Sequence, residues 1–155
     1  NASTPDPTTA TRSREVRLGL VMYGGVSLAI YINGVAREFH RAVRGESVYK
    51  LIKALTDSDI VVDIISGTSA GGVNGVLLGY ALANGTEFAP TAQLWRQAGG
   101  LDKLIRVPDG AQNKVLSILD GEGFYQRELE GAFHAMELAP RQAAGTDTST
   151  VDELD

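Results

Sequence analysis

Two short apolar runs of β type, each followed at once by glycines, dominate the first half of the chain. Residues 15–22 read EVRLGLVM and residues 60–65 read IVVDII. Between them, residues 28–43 carry apolar side chains at three- and four-residue steps, which predicts a helix, and residues 47–55 predict a second one. A third helical pattern follows the second strand. This order predicts parallel strands joined by crossover helices, and hence an α/β fold.

The first helix is expected to turn one large apolar face toward the core. That face consists of Leu28, Tyr31, Ile32, Val35, Phe39 and Val43. Gly34 inside the helix costs roughly 1 kcal/mol relative to alanine, so we expect it to permit a close contact. Gly45 is placed to cap the C-terminus of this helix, and Ser47 to cap the next one. The second helix has its own apolar stripe, formed by Val48, Leu51, Ile52 and Leu55.

The third helix is apolar on almost every side, which is typical of a buried helix. It is expected to run to about Ala83, where Asn84-Gly85 forms a stop signal. Its small residues Gly72, Gly75 and Gly79 favour close packing. Further along, residues 91–97 predict a short helix with Trp95 inward, and residues 125–138 predict a final amphipathic helix.

The pattern divides the chain into three parts. Residues 1–14 are rich in Thr, Pro and Ser and are predicted to form a flexible arm. Residues 15–138 are predicted to be the N-terminal part of the α/β domain, and residues 139–155 a polar loop or tail. Two strands rarely make a stable sheet by themselves, so we expect the remainder of the same domain, beyond Asp155, to be required.

Composition narrows the functional classes. The 155 residues carry a net charge of −5, which argues against nucleic acid as the main partner. There are no cysteines and two histidines far apart in sequence, so neither disulfides nor a thiolate or histidine metal site is expected. No run of 18 or more apolar residues occurs, so no transmembrane helix is predicted and we expect a cytoplasmic protein.

The second strand runs directly into Gly67-Thr68-Ser69-Ala70-Gly71, a G-x-S-x-G sequence that a helix follows. In this strand–turn–helix context the sequence is typical of a nucleophile elbow, which exposes its serine in a strained turn. The glycines allow neighbouring backbone to approach, and the helix directs free N–H groups to the same place. Ser69 is therefore the candidate nucleophile.

A second glycine turn, Tyr23-Gly24-Gly25-Val26, follows the first strand. If the two strands pair in parallel, both turns lie at the C-terminal edge of the sheet, where α/β folds place their sites. The N–H groups of Gly24, Gly25 and Val26 are then candidates for an oxyanion hole beside Ser69. The alternative interpretation is an ordinary turn that meets no ligand.

With both turns in place, the sequence resembles the patatin-like phospholipase family, especially the patatin-related proteins of actinobacteria. The segment GTSAGGVNG is similar to the serine segment of that family, and the resemblance covers about residues 16–85. It implies a mostly parallel sheet with helices on both faces, Ser69 as nucleophile and the Gly24-Gly25 turn as oxyanion loop. It also implies a lipid or acyl-ester substrate, peripheral membrane contact, and a Ser-Asp dyad that needs no cofactor. This chain has Tyr-Gly-Gly-Val where the family has Asp-Gly-Gly-Gly.

The family places its dyad aspartate in an Asp-Gly-Gly or Asp-Gly-Ala turn well downstream of the serine. Asp109-Gly110-Ala111 matches those letters, but it lies only 40 residues after Ser69 and follows a weak segment. We therefore expect the aspartate to lie beyond Asp155.

The sequence leaves three functions open. The first is a lipid acyl hydrolase, and the second is a catalytically inactive binding or scaffold module of the same architecture. The third is a general esterase with a histidine base, for which His134 is the candidate. We otherwise expect His40 and His134 to be structural or surface residues, and Asp63 to pair with a neighbouring segment. The basic residues Arg37, Arg41 and Arg44 are expected to form a solvated helix face.

Overall fold

The computed structural model describes residues 14–98 and 121–140. Its elements are β1 (Arg14–Met22), a 3₁₀ turn (Val26–Leu28), α1 (Ala29–Arg44), α2 (Val48–Thr56), β2 (Ser58–Gly67), α3 (Ala70–Asn84), α4 (Thr91–Ala98), a π-helical turn (Gly121–Tyr125) and α5 (Gln126–Leu138). These elements match the predicted order and confirm the α/β class. The predicted flexible arm up to residue 13, the Asp109 turn and the tail from residue 141 onward lie outside the described residues.

The strands β1 and β2 pair in parallel, as predicted. The pairing is interrupted once, since Leu18 lies opposite Val62 whereas Gly19 lies opposite Ile64. Asp63 is therefore an extra residue in β2, a bulge that bends the strand and resets its register. Beyond the bulge the strands stay in step to their ends, where Met22 lies opposite Gly67. The two glycine turns thus leave the sheet at the same level.

The core lies between one face of this sheet and the helices α1, α3, α4 and α5. Its buried apolar residues are Leu20, Ala36, Leu77, Leu78, Ala81, Phe88, Leu94, Ala132 and Met136. The prediction that α3 is buried is confirmed for seven of its 15 residues, whereas Val76 is 63% exposed. Its Gly75 lies so close to β2 that a Cβ there would meet the Ile65 side chain at 2.9 Å. The opposite face of the sheet leaves Val21 and Ile64 each 68% exposed.

The predicted buried face of α1 is wrong for most of its residues, although Phe39 packs against the core as predicted. The buried side consists of small and polar residues, namely Ala29, Asn33, Ala36, His40 and Ala42. The large residues predicted to face inward include Leu28, Tyr31 and Val35, which are exposed. Small side chains occupy the buried side of α1 because this helix packs closely on α3. The apolar stripe of α2 is likewise exposed, and Gly34 has open space around it rather than the expected close contact.

Two of the three predicted helix caps are confirmed. Gly45 ends α1 and Gly85 ends α3, both in the left-handed conformation. Ser47 precedes α2 as predicted, but its side chain makes no capping hydrogen bond and its φ is +53°. Trp95 and the apolar residues of α5 pack against the core as predicted.

Candidate active site

Ser69 and the preceding Thr68 form the connection between the end of β2 and the start of α3, at the turn that the sequence predicts. Its backbone has φ +51° and ψ −126°, which non-glycine residues rarely adopt. Such a conformation costs on the order of 1–3 kcal/mol and persists only where the surroundings enforce it. The side chain is exposed at this edge of the sheet. These are the features of a nucleophile elbow.

Two glycines allow the turn to close this tightly. A Cβ on Gly67 would lie 2.5 Å from the backbone of Gly71, across the turn. A Cβ on Gly71 would overlap the carbonyl group of Met22 and would lie 2.8 Å from the Tyr23 carbonyl oxygen. Side chains are therefore excluded at both positions by backbone, which has little freedom to move aside. The first glycine of the G-x-S-x-G sequence is thus required by the turn itself, and the last glycine by the close approach of the turn to the end of β1.

The Gly24 turn lies directly against the serine turn, as the parallel pairing predicts. The Thr68 N–H donates to the Met22 carbonyl at 3.1 Å, which continues the strand pairing by one residue. The Gly24 N–H in turn donates to the Thr68 hydroxyl at 3.2 Å. A Cβ on Gly24 would lie only 2.8 Å from the Ser69 Cβ. These contacts join the turn at Gly24 to the turn at Ser69, which lies 45 residues later in the sequence.

The N–H groups near Ser69 differ in their availability. Gly24 uses its N–H on Thr68, whereas among the described residues Gly25 donates no hydrogen bond. Gly25 has φ +144°, a conformation that favours glycine, and its carbonyl accepts from the Leu28 N–H at 3.1 Å. At the start of α3, Gly71 donates to the Thr68 carbonyl at 2.9 Å. Ala70 opens this helix next to Ser69, where helical N–H groups have no partner within the helix.

The described residues place no base at the serine. Within residues 14–98 and 121–140, the Ser69 hydroxyl makes no side-chain hydrogen bond. Asp63 instead pairs with Arg17 of β1 at 3.2 Å, which confirms its expected pairing role. His134 is exposed and follows Phe133, whose ring packs 4.9 Å from the ring of Tyr80. Since that tyrosine lies 11 residues beyond the serine, about 16 Å along the helix axis, the structure does not bring His134 to the elbow.

His40 is buried at the opposite end of α1, with 2% of its surface exposed. Its Nε2 lies 3.0 Å from the Thr86 carbonyl oxygen. Burial lowers the pKa of His40 below its ordinary value of 6.5, and the Arg44 guanidinium acts in the same direction, although the Thr86 hydrogen bond opposes them. The expected structural role of His40 is therefore confirmed.

The predicted solvated basic face holds for Arg37 and in part for Arg41, but it is wrong for Arg44. The Arg44 side chain is 20% exposed and forms ion pairs with Glu46 and, at 3.1 Å, with Glu87. Arg44 is partly covered because the segment between α3 and α4, which contains Glu87, folds back over the C-terminal end of α1.

A buried polar network that was not predicted from the sequence lies behind the serine turn. Asn33 of α1 donates to Asn74 of α3 at 3.0 Å and to the Thr91 hydroxyl at 2.8 Å. Trp95 of α4 donates to the same Asn74 at 2.8 Å. The signal that could have found this network was the pair of asparagines, one within the pattern of α1 and one within the nearly all-apolar α3, since buried amides need partners.

Two structural absences concern the described part of the chain. There, no three His, Asp or Glu residues are grouped closely enough to hold a metal ion. The same residues include no helix with the length and hydrophobicity needed to cross a bilayer.

Comparison with known proteins gives two similarities. The family model described as patatin-like phospholipase matches residues 20–145. An uncharacterised membrane protein of Mycobacterium tuberculosis, Rv3479, is 33% identical over 141 residues. That match covers 76% of this chain but only 13% of the length of the relative. No solved structure matches the chain.

Proposed function

This chain belongs to the patatin-like phospholipase family, a family of lipid acyl hydrolases, and on that premise we propose that Ser69 is its nucleophile. The substrate would be a lipid or another acyl ester, attacked at its carbonyl carbon. The observation that carries the proposal is the contact between the two turns, with Gly24 and Thr68 hydrogen bonded at 3.2 Å. This contact supports the proposal because a serine hydrolase needs its nucleophile and oxyanion donors side by side.

The chemistry follows the usual course of acyl transfer. The Ser69 hydroxyl loses its proton to a base as its oxygen attacks the ester carbonyl, and the carbonyl oxygen becomes an oxyanion. The N–H groups of Gly25, Val26 and Ala70 are the donors that we assign to that oxyanion. The Gly24 N–H, which we also expected there, supports the loop through Thr68 in this structure. Collapse of the intermediate releases the alcohol, and water then hydrolyses the acyl-serine.

The base is proposed to be an aspartate outside the described residues. His40 is buried against Thr86, and Asp63 is paired with Arg17, so neither is free for this role. Peripheral contact with a membrane surface is part of the same proposal, since a lipid substrate lies there.

The test compares p-nitrophenyl ester hydrolysis by the full-length protein and its Ser69→Ala variant. We expect the substitution to abolish turnover. Ser58→Ala, at the other end of β2, is the matched control and should retain the activity, because within the described residues the Ser58 hydroxyl donates to the Thr56 carbonyl and to nothing near Ser69. Equal rates for the wild-type protein and Ser69→Ala would overturn the proposal.

A second candidate is an inactive binding or scaffold module. It is favoured by Tyr23 in place of the family's aspartate and by the hydrogen bond that occupies the Gly24 N–H. A fluorophosphonate probe separates the two candidates, because it labels only an activated serine. Labelling of the wild-type protein but not of Ser69→Ala supports the hydrolase, and its absence from both supports the module.

A further inference from the structure

The buried network behind the elbow has Asn74 at its centre. We propose that Asn74 is a positioning residue that holds the Gly24-Gly25 turn in place relative to Ser69. The structural part of this inference stands on the hydrogen bonds alone. Its catalytic consequence rests on the proposed hydrolase function.

The Asn74 amide makes four hydrogen bonds. Its Nδ2 donates to the Ala29 carbonyl at 3.2 Å and to the Ala70 carbonyl at 3.0 Å. Its Oδ1 accepts from Asn33 Nδ2 at 3.0 Å and from Trp95 Nε1 at 2.8 Å. A primary amide has two N–H donors and two acceptor lone pairs, so every hydrogen-bonding position of this side chain is used.

The partners also fix which way the amide points. The indole N–H of Trp95 can only donate, and the carbonyl groups of Ala29 and Ala70 can only accept. A flipped Asn74 amide would oppose donor to donor and acceptor to acceptor. Asn74 is fully buried and Asn33 is 3% exposed, so no water would compensate.

The two carbonyl groups that accept hydrogen bonds from Asn74 belong to residues next to the two turns of the proposed active site. Ala70 is the residue after Ser69, and Ala29 begins α1 immediately after the 3₁₀ turn. That turn is closed by the hydrogen bond from Leu28 to the Gly25 carbonyl. A single amide therefore connects the backbone next to the nucleophile with the backbone that carries the oxyanion turn.

Packing alone does not call for an amide here. The other buried positions of α3 are Ala70, Gly71, Gly75, Leu77, Leu78 and Ala81, all without polar side chains. Burying an amide among them is costly unless all its hydrogen bonds are made, and it adds no apolar contact. The amide instead fixes the relative position of the two segments that it bonds. Such precision matters because catalytic groups need to be held to within about 0.5 Å.

Two opposite substitutions in the full-length protein test this role. Asn74→Asp keeps the size of the side chain and the acceptor for Trp95, but it loses both donated bonds to Ala29 and Ala70. Trp95→Phe removes one accepted bond and leaves both donated bonds intact. For p-nitrophenyl ester hydrolysis we expect Asn74→Asp to lower kcat about 10²-fold at unchanged KM, the loss expected for a displacement of about 1 Å.

Trp95→Phe should lower kcat far less than Asn74→Asp, because both donated bonds remain, even where its unfolding midpoint falls. Equal kcat values for the two variants would overturn the positioning role, as would a change confined to KM. Should Asn74→Asp fail to fold, Asn74→Ser replaces it. Its hydroxyl can still reach the Ala70 carbonyl four residues back but not Ala29, so kcat should again fall.

Hydrogen exchange gives a readout that does not depend on turnover. In Asn74→Asp the amides of residues 24–28 should exchange faster than in Trp95→Phe, after both are compared at equal global stability. Unchanged exchange in that segment would refute the inference. Loss of the hydrolase proposal is recognised separately, by full activity in Ser69→Ala, and leaves the exchange experiment decisive.

Discussion

The Gly24 N–H donates to the Thr68 hydroxyl at 3.2 Å, and through this bond the turn after β1 is attached to the turn after β2. Thr68 lies in the G-x-S-x-G sequence at a position where the motif itself accepts any residue. In this chain the side chain at that position joins the two turns. From this contact we expect the Thr68 hydroxyl to influence the position of the Gly24 turn relative to Ser69.

We expect Thr68→Val to loosen this contact. The substitution keeps the branched shape but removes the acceptor, so the free energy of unfolding should fall by about 0.5–1 kcal/mol. Ester hydrolysis should fall as well, because the oxyanion turn loses a support. Thr68→Ser is the control, since it retains the hydroxyl and should behave like the wild-type protein in both urea unfolding and hydrolysis. Equal behaviour of the valine and serine variants would contradict the role of this bond.

The strained backbone of Ser69 predicts a gain in stability when the strain is removed. Glycine adopts positive φ at little cost, whereas alanine retains the strain. After allowance for the greater freedom of glycine in the unfolded chain, Ser69→Gly should be about 1 kcal/mol more stable than Ser69→Ala. Thermal unfolding of the two variants checks this directly. An alanine variant as stable as the glycine variant would mean that the turn relaxes when the serine is lost.

Gly71→Ala should be severely destabilising. Its Cβ would collide with the backbone of Met22 and Tyr23, and overpacking of this kind costs about 1–3 kcal/mol or more. Gly34→Ala is the matched control, since Gly34 lies within α1 and, apart from the adjacent backbone of that helix, no atom of the described residues lies within 4 Å of its added Cβ. That control should be stabilised by up to about 1 kcal/mol, as helix propensity predicts. Chemical unfolding of both variants measures the difference, and equal effects would contradict the close approach of α3 to β1.

Buried His40 predicts a pH dependence of stability. Because its pKa is lowered in the folded state, the unfolded chain binds the proton more readily, and stability rises with pH in the window where the two states differ. The contribution of neutral His40 is complete above the unfolded pKa of 6.5 and is lost as the pH falls from there through the folded pKa. The melting temperature of the wild-type protein should therefore fall more steeply below pH 6.5 than that of His40→Gln. Parallel pH profiles for the two proteins would show that His40 does not titrate on unfolding.

The order of elements and the position of the elbow were predictable from the sequence, because they depend on local patterns. The run up to Ile65 and the glycines around Ser69 specify a strand and a turn within a few residues. The parallel pairing then followed from the crossover helices. The proximity of Gly24 to Ser69 was a consequence of that pairing.

The face of α1 was not predictable in the same way. Periodicity selected the large residues Tyr31 and Val35, but close contact with α3 selected Ala36 and Asn33 instead. Which face of α1 is buried depends on the distance between α1 and α3. The sequence pattern of a single helix carries no information about that distance. The Asp63 bulge was missed for a similar reason, since register is a property of two strands together.

The parallel pairing also determines when the two turns meet during folding. Met22 and Gly67 meet only after a loop of 45 residues, with two helices in it, has closed, and such non-local pairing is slow. No local fragment of the chain holds both Ser69 and the Gly24 turn, so a partly folded chain has the elbow sequence without its partner. A reactive serine would therefore report completion of the β1–β2 pairing. After dilution from denaturant, the rate at which an active-site probe begins to label Ser69 would therefore measure how fast the β1–β2 pair assembles.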